Sequence, residues 1–283
     1  MRFALRYGIA LPAFAALILP LTIAACRSRA ADASGAPRHE LVVNAHDFAF
    51  DAPDTIEAGW VRVRLINHGP EPHHMQLVRL GDGHTLPELL DQAAKGNLTP
   101  SWATFVGGPN TPRPGATSEV ALHLAPGNYA MLCFITSLDH VPHLAKGMTR
   151  PLTVIPASGS PGQEPTVKGR LILNDFSFNL TMPLRSGHHT IRVENGGLQP
   201  HEVAMIRLLP GKTVADAMAW TQDRRATPPF ETAGGTVALS PGRENFMTLD
   251  LVPGDYVLVC FVPDAHDGKP HLAHGMIREL VVQ

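Results

Sequence analysis

The chain is written twice, and any fold it adopts must be built twice. The segment DFAFDAPDTIEAGWVRVRLINHGPEPHHMQLVRL at 47–80 aligns without a gap on DFSFNLTMPLRSGHHTIRVENGGLQPHEVAMIRL at 175–208, with 11 of the 34 positions identical. Asp47/Asp175, Gly59/Gly187, Asn67/Asn195, Pro72/Pro200 and His73/His201 are among the shared pairs. Further on, PGNYAMLCF (126–134) answers PGDYVLVCF (253–261), and HLAKGM (143–148) answers HLAHGM (271–276). The copies are placed at 39–156 and 166–283, with ASGSPGQEP (157–165) between them as a linker.

Within each copy the hydrophobic period is mostly two. VRVRL (61–65), VALHL (120–124), TIRVE (190–194) and MTLDL (247–251) alternate apolar and polar residues, as half-buried strands do. The 26 prolines and 25 glycines supply turns between short strands. One helix per copy is predicted where Thr85 and Glu88, and Thr213 and Asp216, stand at capping-box spacing. The expected class is all-β: two tandem Greek-key β-sandwiches of about seven strands each, with one short inserted helix apiece.

The first 38 residues read differently. Arg2 and Arg6 flank the start of an apolar run that ends in small residues before Cys26, the pattern of an export signal over residues 1–25. The stretch IAAC (23–26) resembles a bacterial lipobox, which implies acylation of Cys26 and a polar tether over 26–38. A lipid there would anchor the protein to a membrane surface on the extracytoplasmic side of a bacterial envelope without spanning the bilayer. The formal net charge of −2, with no block of Lys or Arg, gives no electrostatic footprint for nucleic acid.

Setting Cys26 aside, two cysteines remain, one in each copy. A disulfide between them is one reading of a pair in an oxidising compartment. Their matched positions favour a separate role in each copy. The candidate ligands are His73, Cys133, His143 and Met148 in the first copy, and His201, Cys260, His271 and Met276 in the second. A histidine in a Gly/Pro loop is usually solvated, and a lone methionine usually packs in a core. Two complete sets in the same order point instead to metal. Two imidazoles, a thiolate and a thioether are the donors of a trigonal copper site with a long axial methionine, a mixture that serves both Cu(I) and Cu(II). His140 and His266 lie inside the Cys-to-His intervals and are alternative ligands.

Each copy resembles a cupredoxin, the superfamily of plastocyanin and azurin. The resemblance rests on DFAF/DFSF, PHH/PHE, the PGNYAMLC/PGDYVLVC strands, and the His-x4-Met of HLAKGM/HLAHGM, which is the plastocyanin spacing. It implies a Greek-key sandwich, one type 1 copper per copy, and one-electron exchange with a redox partner such as a cytochrome or respiratory complex. The chain departs from that pattern in having nine residues between Cys133 and His143, and ten between Cys260 and His271. Oxidase or reductase activity is not expected, so the chain is read as no enzyme. The cysteines are flanked by Leu132 and Phe134, or Val259 and Phe261, and no His-x-His occurs to build a second type of copper site. Copper storage, delivery or sensing is the alternative function, and a copper-free cupredoxin-like interaction module is another.

Overall fold

The computed structural model of the chain describes residues 39–167 and 169–283. The predicted export signal and tether, with Cys26, lie outside the described residues. The first copy contributes β1 (His39–His46), β2 (Ala49–Asp51), β3 (Thr55–Glu57), β4 (Gly59–Asn67), β5 (Gln76–Leu80), α1 (Leu86–Ala94), β6 (Ala103–Gly107), β7 (Thr117–Leu124), β8 (Gly127–Leu132) and β9 (Thr149–Ile155). The second contributes β10 (Arg170–Asn174), β11 (Ser177–Leu180), β12 (Gly187–Asn195), β13 (His201–Leu208), α2 (Val214–Gln222), β14 (Phe230–Leu239), β15 (Glu244–Leu251), β16 (Gly254–Val259) and β17 (Ile277–Val282). The class is all-β with two short helices, as the sequence predicts.

Side-chain period sets these elements. Along β4, Val61, Val63 and Leu65 are buried while Arg62 faces solvent. Both helices start at the expected capping boxes. Thr85 caps the backbone N–H of Glu88, whose carboxylate accepts the Thr85 N–H, and Thr213 and Asp216 repeat the arrangement. Each cysteine-bearing strand is fixed near its start by a tyrosine hydroxyl. Tyr129 donates to the Ala125 carbonyl at 2.9 Å and Tyr256 to the Val252 carbonyl at 3.0 Å.

The strands form two sheets, ordered β11-β10-β12-β15-β7-β4-β1-β2 and β17-β16-β13-β14-β6-β5-β8-β9-β3. Each sheet runs through both copies. The first is joined where β7 pairs antiparallel with β15, setting Val120 opposite Met247; the second is joined where Val106 of β6 meets Leu239 of β14. Reciprocal hydrogen bonds close the seam, from Asn110 N–H to the Gly235 carbonyl at 3.1 Å and from Val237 N–H to the Gly108 carbonyl at 3.0 Å. Pairing edge to edge removes two exposed strand edges per copy. One hydrophobic core spans both copies, from Leu41 and Val63 through Met131 to Val193 and Leu258.

Candidate metal centres

β8 and β16 each stop one residue short of a cysteine, and both thiols are fully buried and unpaired with each other. The long interval after each cysteine does not carry the next histidine away. It is pinched at its neck, where Thr136 pairs with Pro142, and Pro263 with Pro270. Beyond the neck, His143 N–H donates to Ile135 O at 2.8 Å and Leu144 N–H to Cys133 O at 2.9 Å, so the chain returns to its starting point. Cys133 N–H donates to Met148 O at 3.3 Å, which brings residue 148 beside residue 133. The second copy repeats every step through His271, Leu272 and Met276. The extra residues are thus extruded as a small side hairpin. His140 sits on it, exposed, with a left-handed φ of 63°, and His266 is exposed in the matching hairpin.

Two clusters result: His73 with Cys133 and His143, and His201 with Cys260 and His271. All six side chains are fully buried. The Nδ1 atoms of His73 and His143 lie 3.1 Å apart, and Cys133 Sγ lies 3.5 Å from His143 Nδ1. In the second copy the same distances are 3.0 and 3.4 Å. Met148 and Met276 are fully buried in the same core. A first-row ion held at about 2.0–2.1 Å from nitrogen and about 2.3 Å from sulfur in a plane separates its donors by about 3.5–3.8 Å. The nitrogen–nitrogen separations and those from cysteine sulfur to the second histidine need to open by only a few tenths of an ångström to accept one.

The tautomers say the same. His73 Nε2 donates to Asp47 Oδ1 at 3.0 Å, His143 Nε2 to Glu71 Oε2 at 3.0 Å, and His201 Nε2 to Asp175 Oδ1 at 2.7 Å. A carboxylate accepts only, so it holds the imidazole proton on Nε2 and turns the Nδ1 lone pair inward. In the first copy two such lone pairs face each other with no proton between them. A cation resolves that arrangement, and the residues present fit one.

The repeated Asp-Phe dipeptide touches both histidines of each cluster. Asp47 and Asp175 orient the first histidine, while Phe48 and Phe176 pack edge-on against His143 and His271 at ring-centroid distances of 5.2 Å. Both phenylalanines adopt positive φ, 66° and 64°, a conformation unusual for a bulky residue and retained where a site requires it. Gly69 and Gly197 follow from the same packing. A Cβ on either would fall 2.2 or 2.4 Å from the aspartate oxygen that orients the histidine.

The position after each first histidine differs between copies. His74 is half-buried and accepts the Phe134 N–H at 2.9 Å. The aligned Glu202 accepts the Phe261 N–H at 3.0 Å, and its own N–H donates to Cys260 Sγ at 3.5 Å. Asn110 of the first copy donates to the other Glu202 oxygen at 3.2 Å. Sequence reasoning missed Glu71, Glu202, Asn110 and the roles of the two Asp-Phe turns. The only signal was the identity of Asp47 with Asp175 and Phe48 with Phe176 across the copies.

Burial dominates the ionisation. It drives the Cys133 thiol up to about 12 and raises Cys260 as well, with Glu202 adding to the latter. It pushes His74 down to about 3 and His271 down to about 4, and lowers His73, His143 and His201. A histidine depressed in the folded state takes up its proton more readily when unfolded. Its contribution to stability is complete above the ordinary value of 6.5 and drains away as pH falls toward 4 and 3. Each such group costs about 1.4 kcal/mol per pH unit across its window. The metal-free protein is therefore expected to lose most of its resistance to urea between pH 7 and 4. Equal urea midpoints at both pH values would contradict this.

No protein-family model matches the chain, and no curated protein matches it. Among solved structures it is similar to reduced auracyanin from Roseiflexus castenholzii, at 20% identity over 43% of this chain and 100% of that one, with a TM-score of 0.32. It is similar to auracyanin A, a blue copper protein from Chloroflexus aurantiacus, at 20% identity over 41% of this chain and 99% of that one, with a TM-score of 0.29. A blue copper oxidase from Nitrosomonas europaea aligns over 86% of each chain at 17% identity and a TM-score of 0.26. At this level of similarity the donor atoms themselves carry the functional reading: two buried sets of imidazole and thiol, one per copy, each spaced to close on a single ion.

Proposed function

We propose that this chain is an electron-transfer protein of the bacterial envelope, lipid-anchored through Cys26, with one mononuclear type 1-like copper per copy. The observation that carries the reading is the pair of fully buried two-imidazole, one-thiol clusters with Nδ1–Nδ1 distances of 3.1 and 3.0 Å. Copper bound there supplies a one-electron Cu(II)/Cu(I) couple.

The protein's own part is to hold the donors still. His73, Cys133 and His143 would hold the ion in the first copy, and His201, Cys260 and His271 in the second, with Met148 and Met276, buried in the same core, as the further donors. Asp47, Glu71 and Asp175 fix ring orientation, and the loop-closing backbone hydrogen bonds fix the spacing of cysteine to histidine. Donors packed in a core change little between two oxidation states, which an electron carrier requires. Full burial of every donor supports a carrier over a storage or delivery protein, whose ligands must exchange metal with a partner. The partner is proposed to be a redox protein such as a cytochrome or respiratory complex. No oxidase or reductase role is proposed, since the chain has no His-x-His pair for a further copper site.

Voltammetry of the copper-loaded protein beside competition with a chelator separates carrier from donor. A carrier gives reversible one-electron waves and keeps its copper. Irreversible waves with rapid loss of copper to the chelator would overturn the reading in favour of delivery.

A further inference from the structure

The two clusters share their inner donors but differ in what holds the second histidine. Position 71 is glutamate in the first copy, while the aligned position 199 is glutamine. Position 137 is serine, while its counterpart 264 is aspartate. The carboxylate has changed sides, and with it the fate of one imidazole nitrogen.

In the first copy, Glu71 Oε2 accepts from His143 Nε2 at 3.0 Å and from the Ser137 hydroxyl at 3.1 Å. The backbone of that loop is held from the other copy. Arg224, beyond α2, donates to the Thr136 carbonyl and, at 3.1 Å, to the Ser137 carbonyl. In the second copy, Gln199 is spent on the loop instead. Its Nε2 donates to Asp264 Oδ2 at 2.8 Å, and its Oε1 accepts the Ala265 N–H at 2.7 Å. The other Asp264 oxygen takes the N–H groups of His266 and Asp267. His271 Nε2 is left buried with no hydrogen-bond partner among the described residues.

The consequence lies in the tautomers. His143 is locked with its proton on Nε2 and its Nδ1 lone pair directed at His73. His271 is not locked. It satisfies itself by carrying its proton on Nδ1 and donating to His201 Nδ1, 3.0 Å away. Metal entering the second site must displace that hydrogen bond and leave a buried N–H unpaired, a cost the first site does not bear.

We propose that Glu71 is a positioning residue that makes the first cluster the tighter of the two, so that the chain fills its sites in order. The proposal rests on the reading that both clusters bind metal. Loss of a hydrogen-bonding partner behind a ligand typically costs about 10–100-fold in affinity, and the sites are expected to differ by that factor.

Cobalt(II) titration of the metal-free full chain, buffered with a competing chelator, tests this through thiolate–cobalt absorption. Cys260→Ser isolates the first site and Cys133→Ser the second. The expected result is two steps about 10–100-fold apart, with the tighter one belonging to Cys133. Glu71→Gln, which gives the first copy the residue of the second, should weaken the first step by about tenfold or more and leave the second in place. Imidazole nitrogen NMR of the metal-free protein reads the cause directly: His143 protonated on Nε2, His271 on Nδ1, and the His143 preference reduced in Glu71→Gln. Equal affinities at the two sites, or a Glu71→Gln variant with its first step unmoved, overturns the proposal while leaving the metal reading intact. Failure of either cluster to take up the ion strikes the metal reading itself.

Discussion

Replacing Cys133 with serine is expected to halve the copper content of the chain and remove one of two intense visible absorption bands, leaving the second copy's spectrum unchanged. The thiolate is the one anionic donor in each cluster, since His73, His143, His201 and His271 are neutral imidazoles at neutral pH, held so by burial. It is also the soft donor that secures Cu(I). A serine hydroxyl stays protonated under the same conditions and binds as a weak, hard ligand. Cys260→Ser should remove the other half, and the double variant should be colourless with copper present. Metal analysis and visible spectra of the three variants check this. Retention of full colour in the double variant would mean that neither sulfur binds the ion. Because the Cys133 thiol sits at about 12 in the metal-free protein, loading displaces its proton.

A second large effect is expected far from the donors in chemistry but close in structure. Gly108 and Gly235 stand at matched places in the two copies, at φ of 141° and 119°, where a Cβ would lie 2.1 Å from the Met75 carbonyl oxygen and 2.0 Å from that of Val203. The obstacle is backbone, so no side chain can rotate out of the way. Met75 and Val203 each lie two residues beyond a candidate ligand histidine, and both glycines accept the reciprocal hydrogen bonds across the seam. Gly235→Ala combines a left-handed conformation that L-residues avoid with a main-chain collision, and should cost more than about 3 kcal/mol. The urea midpoint of the full chain should fall sharply. A midpoint within error of the parent would show that the seam yields freely, contrary to the packing described.

Much of this was legible before any coordinates, for identifiable reasons. Repetition exposed the two histidine–cysteine clusters, because a chance histidine rarely recurs with the same neighbours in the same order. Strand period predicted the buried face of β4, and capping chemistry predicted both helix starts. The continuous sheets were not legible, since alternation along a strand reports which face is buried and says nothing about which edge finds a partner. Strand number was underestimated for a related reason: three-residue strands such as Ala49–Asp51 and Thr55–Glu57 are too short to show a period. Which of His143 and His140 lies beside Cys133 was open in the sequence. It depends on the pinch between Thr136 and Pro142, a backbone pairing with no side-chain signature. His74 aligns with Glu202, so identity across the copies gave no sign of its role. The two residues do one job, accepting the N–H after the cysteine, with different chemistry.

Copper per polypeptide, measured together with the absorption spectrum of the reconstituted full chain, bears most directly on the central claim. Two ions per chain, each producing strong thiolate-to-copper absorption, is the predicted result. A colourless protein that holds copper in no fixed ratio would contradict it.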